Sequence, residues 1–80
     1  MNIKMLVNEE EVAEIDGLKL AEFSREHSKQ ISGVVTMKLG KYASKKEIRQ
    51  ALIDCSLSFY ASSVLGIEVK SKDNIKFIGY

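Results

Sequence analysis

The longest helical pattern in this 80-residue chain runs from Ser44 to Gly66. Ser44 and Glu47 have the spacing of a capping box, in which a hydroxyl and a carboxylate each satisfy a backbone amide at a helix start. Gly66 offers the positive φ angle that commonly ends a helix. The pattern therefore predicts a helix over about 44–65, which at ~1.5 Å per residue is long enough to cross a small domain.

Apolar residues fall on two strips of this predicted helix. At about 100° per residue, the first strip is expected to pack on the core. Its members are Ile48, Ala51, Leu52, Cys55 and Phe59. The second strip consists of Ile53, Leu57, Tyr60 and Val64. Because a small sheet covers only one side of a helix, the second strip is expected to meet another segment of the chain, a second copy or a different partner.

Alternating apolar residues predict strands near both ends of the chain. Residues 2–7, NIKMLV, suit a first strand, and the spacing of Asn8 and Glu11 then favours a helix start. Two alternating segments flank the polar turn KDN near the C-terminus and predict a hairpin. The hairpin's expected core residues are Ile67, Val69, Ile75, Phe77 and Tyr80.

Two interpretations compete around Asp16 and Gly17. This pair is typical of a two-residue hairpin turn, which would bring Ile15 opposite Leu18. Alternatively, Asp16 caps a helix, because the segment LKLAEFSREHSKQ is rich in helix-forming residues. We choose a helix over 18–29.

Residues 31–39 leave strand and helix both open. Their β-branched residues favour a strand, which we choose. The segment 20–39, LAEFSREHSKQISGVVTMKL, also resembles a helix-turn-helix, with Leu20–His27 as first helix and Ser32–Leu39 as recognition helix. The turn SKQ departs from that pattern, because it has no glycine and is one residue too long. The resemblance implies nucleic-acid binding.

The predicted elements add up to a single α+β domain over 1–80. Helices on one face of a mainly antiparallel sheet form two layers and bury the most surface with these lengths. With 45% hydrophobic and 29% charged residues, the chain has the composition of an ordinary globular protein. Its apolar runs are too short to span a membrane, and the segment MNIKMLVNEEE lacks the apolar centre of a signal peptide. A lone cysteine favours a reducing compartment, the cytoplasm.

The usual residues of catalysis and metal binding are scarce. One histidine, His27, and one cysteine, Cys55, cannot supply a metal cluster, so no metal or cofactor is expected. Cys55 is predicted to be a small buried hydrophobe, and His27 a surface residue near a helix end. The scattered glycines form no phosphate-binding loop. We therefore expect neither an enzyme nor a small-molecule substrate.

Charge is distributed unevenly along the chain. Residues 1–27 hold three basic and seven acidic residues, a net charge of −4, whereas residues 28–80 hold nine basic and four acidic residues, a net charge of +5. Glu9–Glu11 form an acidic segment whose role in recognition is left open. A basic cluster lies near the middle of the chain, between residues 38 and 49. It is a candidate nucleic-acid or anion site, made of Lys38, Lys41, Tyr42, Ser44, Lys45, Lys46 and Arg49.

Two functions follow from these features. The first is a small interaction or regulatory protein that binds a macromolecular partner and forms a homodimer through the long helix, by its second apolar strip. The alternative is a nucleic-acid-binding regulator that uses the basic cluster and the segment 20–39. Ionic strength separates them, because phosphate binding weakens steeply with salt whereas an apolar interface does not.

Overall fold

In a computed structural model, described for residues 1–79, the chain folds into a three-stranded sheet and three helices. The elements in order are β1 (Asn2–Val7), β2 (Glu10–Asp16), α1 (Gly17–Glu26), α2 (Ser28–Leu39), α3 (Lys45–Ser63) and β3 (Ile75–Ile78). The strand order is β2-β1-β3, and both pairings are antiparallel. The predicted α+β class is confirmed.

A hairpin opens the chain. Asn8 and Glu9 form its turn with positive φ angles of 52° and 69°, and β2 returns alongside β1. The helix start predicted at Asn8 is therefore wrong, since its acidic residues belong to β2. The alternative hairpin at Asp16 and Gly17 does not form either. The Asp16 carboxylate accepts a hydrogen bond from the Leu18 amide at 2.9 Å, and this cap starts α1.

The helix predicted over 18–29 is interrupted after Glu26. His27 ends α1, and α2 begins directly at Ser28. The strand predicted over 31–39 is wrong, because these residues belong to α2. Ile31 and Val35 are buried four residues apart on one side of α2. Packing of this side outweighs the strand preference of β-branched residues, which amounts to only a few tenths of a kcal/mol per residue, roughly 0.5.

The long helix forms close to its predicted bounds. The Ser44 hydroxyl accepts from the Glu47 amide at 3.2 Å, and Glu47 Oε1 accepts from the Ser44 amide at 3.2 Å. The capping box is thus complete. At the other end Val64 caps α3, and Gly66 adopts the expected positive φ angle of 66°.

The core lies between one face of the sheet and the helices α1 and α3. Alternate side chains of β1 point inward, and those of Ile3 and Met5 are buried. The central cluster comprises Ile3, Ile15, Phe23, Leu57 and Tyr60. Leu20, Phe59 and Phe77 pack at its edge. The central cluster is therefore formed by two helices packed on one face of the sheet.

The predicted C-terminal hairpin is wrong in its first half. Residues 67–74 contain no strand, and β3 pairs with β1 instead. Asn8 holds this segment in place, because its side chain donates to Asp73 Oδ1 at 3.1 Å and accepts from the Asn74 amide at 2.9 Å. A hydrogen bond from the Lys70 amide, with a smaller effect of Asn8, lowers the pKa of Asp73 below its ordinary value. Tyr80 lies outside the described residues.

Candidate interaction surfaces

The second apolar strip does not form a free surface. Leu57 is 0% exposed and Tyr60 is only 6% exposed. In the C-terminal half of α3, the side of the helix that carries these two residues packs against the sheet and α1. Ile53 and Val64 are exposed at the margins. The prediction of a partner interface over the whole strip is thus wrong, and the protein's own core covers its centre.

The strip that was expected to face the core is divided among three surroundings. Phe59 packs at the edge of the core, Cys55 is half-buried beside α2, and Ile48 is exposed. The centre of the second strip thus lies in the core, whereas only Phe59 of the first strip packs at its edge. Periodicity locates apolar strips on a helix, but their distance from the sheet decides which one is buried.

A long surface groove runs between α2 and α3. It consists of two depressions of about 500 and 590 Å³, which share Val34, Cys55 and Ser58 at the centre. Val34 is 53% exposed and Met37 is 88% exposed, although both are apolar. Sequence reasoning missed these residues because it assigned 31–39 to a strand. A helical assignment would have placed both beside the buried side of α2.

The walls of the groove carry charge at both ends. One end is lined by Lys38, Glu47 and Asp54, and the other by Lys29. Asp54 also accepts a hydrogen bond from the Gln50 side chain at 3.1 Å. One end thus holds two carboxylates and one ammonium group, and the opposite end one ammonium group.

The basic cluster collects at one end of the helical layer. The segment 40–44 joins the end of α2 to the start of α3 and so brings Lys38 near the first turns of α3. The basic residues of the cluster are all exposed, and Tyr42 is 96% exposed. These positions suit contact with a large anionic partner, because they form no enclosed site.

Ser44 is not free to bind an anion. Its hydroxyl donates to Glu47 Oε1 at 3.0 Å and also accepts from the Glu47 amide. The Glu47 carboxylate thus already occupies the start of α3, where an anion would otherwise be favoured. Any phosphate at this end must be held by the lysine and arginine side chains.

His27 belongs to an aromatic cluster, which corrects its assignment to the surface. Its ring stacks on Phe23 with centroids 4.2 Å apart and meets the edge of Phe59 at 5.3 Å. The Phe23 carbonyl accepts a hydrogen bond from Nδ1 at 3.0 Å. A half-buried ring that fixes the junction of α1 and α2 has a structural role.

Two further kinds of feature, metal-ligand clusters and membrane-spanning helices, are absent from residues 1–79. No three histidine, cysteine or acidic side chains lie together as metal ligands there. In the same residues, every helix is too short or too polar to cross a lipid bilayer. Comparisons with protein-family models, curated proteins and solved structures find no match to this chain.

Proposed function

We propose that the protein is a small non-enzymatic interaction protein that binds a macromolecular partner and associates as a homodimer through α3. The groove between α2 and α3 supports this role. It leaves Val34 and Met37 exposed on a helix, where each costs free energy in water that a partner would recover, at about 25 cal/mol per Å² of buried apolar surface. A cytoplasmic setting remains part of the proposal, on the ground of the single cysteine.

The shape of the groove favours a second copy as its occupant. Cys55 and Ser58 provide small side chains at the centre, where the backbones of two helices can approach closely. Val34 and Met37 of one copy would fill the groove of the other. Two-fold symmetry makes each such contact occur twice, and it is the commonest symmetry of protein oligomers.

The charges at the ends of the groove are complementary under the same symmetry. A two-fold axis through the centre exchanges the two ends. Lys29 of one copy then lies near Glu47 and Asp54 of the other. Pairs at the rim of an interface contribute little affinity but fix the relative orientation of the copies.

Solution mass tests the homodimer directly. Light scattering on a size-exclusion column should give about twice the 9.0 kDa chain mass at both low and high salt, because apolar burial carries the interface. A mass of one chain at every protein concentration would contradict the homodimer. A dimer that dissociates in high salt would contradict the apolar groove as its basis.

Nucleic-acid binding is a second candidate function. One observation supports it: Lys41, Tyr42, Lys45 and their basic neighbours belong to one loop and the two helix ends that it joins, and all are exposed. Lysine and arginine side chains would neutralise phosphates there, and the Tyr42 ring would stack on an unpaired base.

Charge reversal tests this candidate. Replacing Lys45 and Lys46 by glutamate should weaken binding to a labelled single-stranded oligonucleotide by about tenfold or more and lower the salt slope by about 1.4, since two phosphate contacts are lost at about 0.7 each. Fluorescence anisotropy over a salt series measures both. Lys70→Glu with Lys72→Glu makes the same charge change on another exposed segment and should have little effect. Equal binding by all three proteins would eliminate the basic cluster.

A further inference from the structure

A second cleft borders α3 on its other side, between α3 and α1. It has a volume of about 360 Å³ and a mostly apolar lining, with the start of β1 at its base. Leu20 and Ala21 line it from α1, and Leu52 and Ile53 line it from α3. None of these residues lines the α2–α3 groove, so a homodimer through that groove would leave the cleft accessible.

Positive charge borders this cleft at one end. Past Leu52 the surface continues into a shallow depression lined by Lys45, Ile48 and Arg49. Asp16 lies next to the lining residue Gly17, but its carboxylate accepts a hydrogen bond from the Leu18 amide. The cleft thus combines an apolar floor with two cations at its end, which selects an occupant that is both apolar and anionic.

We propose that this cleft binds an amphipathic helix of a partner protein, with apolar side chains in the cleft and acidic side chains against Lys45 and Arg49. The surface that α3 contributes extends from Lys45 to Ser56, which at ~1.5 Å per residue is roughly 16 Å. That length matches three turns of a helix. A helix held in a groove by regularly spaced apolar side chains is a common mode of peptide recognition.

The open form of the cleft favours a helix over an acyl chain. Gly17, Ala21 and Ser24 present little bulk along α1, so a rod-shaped partner can approach closely. An acyl chain in an open cleft would keep one side in water. An amphipathic helix instead turns its polar side to water and its apolar side to the cleft.

Two designed peptides serve as probes. Each has about 14 residues, or four turns, with leucines on one side of the helix. One carries glutamates beside the leucine stripe, and the other carries lysines at the same positions. Fluorescence anisotropy at physiological ionic strength should show the acidic peptide binding at least about tenfold more tightly than the basic one, because its glutamates lie against Lys45 and Arg49. Charges more than about 8 Å apart are screened at this ionic strength, so the difference reports on groups close to the peptide.

Single substitutions locate the binding site. Lys45→Glu or Arg49→Glu should each weaken the acidic peptide about tenfold, whereas Lys46→Glu, the same change at the adjacent residue outside the cleft lining, should have little effect. Ala21→Glu should abolish binding. Ala21 is exposed on a helix, so circular dichroism should show that this variant folds normally.

Three results would overturn the proposal. The first is equal binding of the two peptides, and the second is an equal loss of affinity for Lys45→Glu and Lys46→Glu. The third is binding of laurate, a saturated fatty acid, without binding of either peptide, which would assign the cleft to acyl chains. Because cleft and groove share no lining residue, these outcomes are independent of dimer formation.

Discussion

Replacing Leu57 by alanine should lower the free energy of unfolding by about 3 kcal/mol. The Leu57 side chain is fully buried in the central cluster, and large-to-small changes at such positions lose both transfer free energy and packing around the cavity. Domains of this size have a total stability of roughly 4–12 kcal/mol, so the loss is a large fraction of the whole. Chemical denaturation followed by circular dichroism measures it.

Leu18→Ala is the matched control, because it removes the same atoms from a side chain that is 77% exposed. It should change the stability by no more than about 0.5 kcal/mol. A loss below about 1 kcal/mol at Leu57 would contradict its place in the core. If the loss of unfolding free energy depended on protein concentration, Leu57 would instead belong to an interface between copies.

Local signals made part of the fold predictable. Ser44 and Glu47 fix the start of α3 through neighbouring backbone amides, so their spacing is sufficient evidence. Asp16 is harder, since the same residue can cap a helix or start a turn. The helix-forming residues after Gly17 favoured the cap, and this prediction is confirmed. These features depend on residues close in sequence, and this is why the sequence reveals them.

Tertiary packing decided the features that the sequence did not reveal. Val34, Val35 and Thr36 favour a strand locally, yet burial of Ile31 and Val35 makes this segment a helix. Residues 67–71 alternate as a strand would, but β1 has a free edge for only one more strand, and Ile75–Ile78 occupy it. In both cases, the contact that determines the secondary structure joins residues that are far apart in the sequence.

The predictions for the interaction sites divide in the same way, into those that depend on residues close in sequence and those that depend on tertiary packing. The members of the basic cluster are close in sequence and are exposed, and their role in binding stays a prediction. The apolar interface strip depended on which side of α3 faces the sheet, and the assignment of Leu57 and Tyr60 to it was wrong. Placing Val34 and Met37 on a helix moves the proposed interface to the α2–α3 groove.

Replacing Val34 and Met37 together by glutamate should convert the proposed dimer into a monomer. Both positions would then carry a charge inside an apolar contact, and burying unpaired carboxylates costs several kcal/mol, on the order of 3 or more. Each is exposed within one chain, so the fold should be retained. Light scattering should then report a single 9.0 kDa chain, with an unchanged circular dichroism spectrum.

Ser32→Glu with Thr36→Glu adds the same charge to α2 outside the groove lining and should leave the dimer intact. Cys55 reports on the location of the interface, because it is the single cysteine of the chain and lies at the centre of the groove. Its reaction with a maleimide should slow as protein concentration rises, and the monomeric variant should remove this dependence. A stable dimer in which Cys55 reacts as fast as it does in the monomeric variant would exclude the groove and require a different contact between the copies.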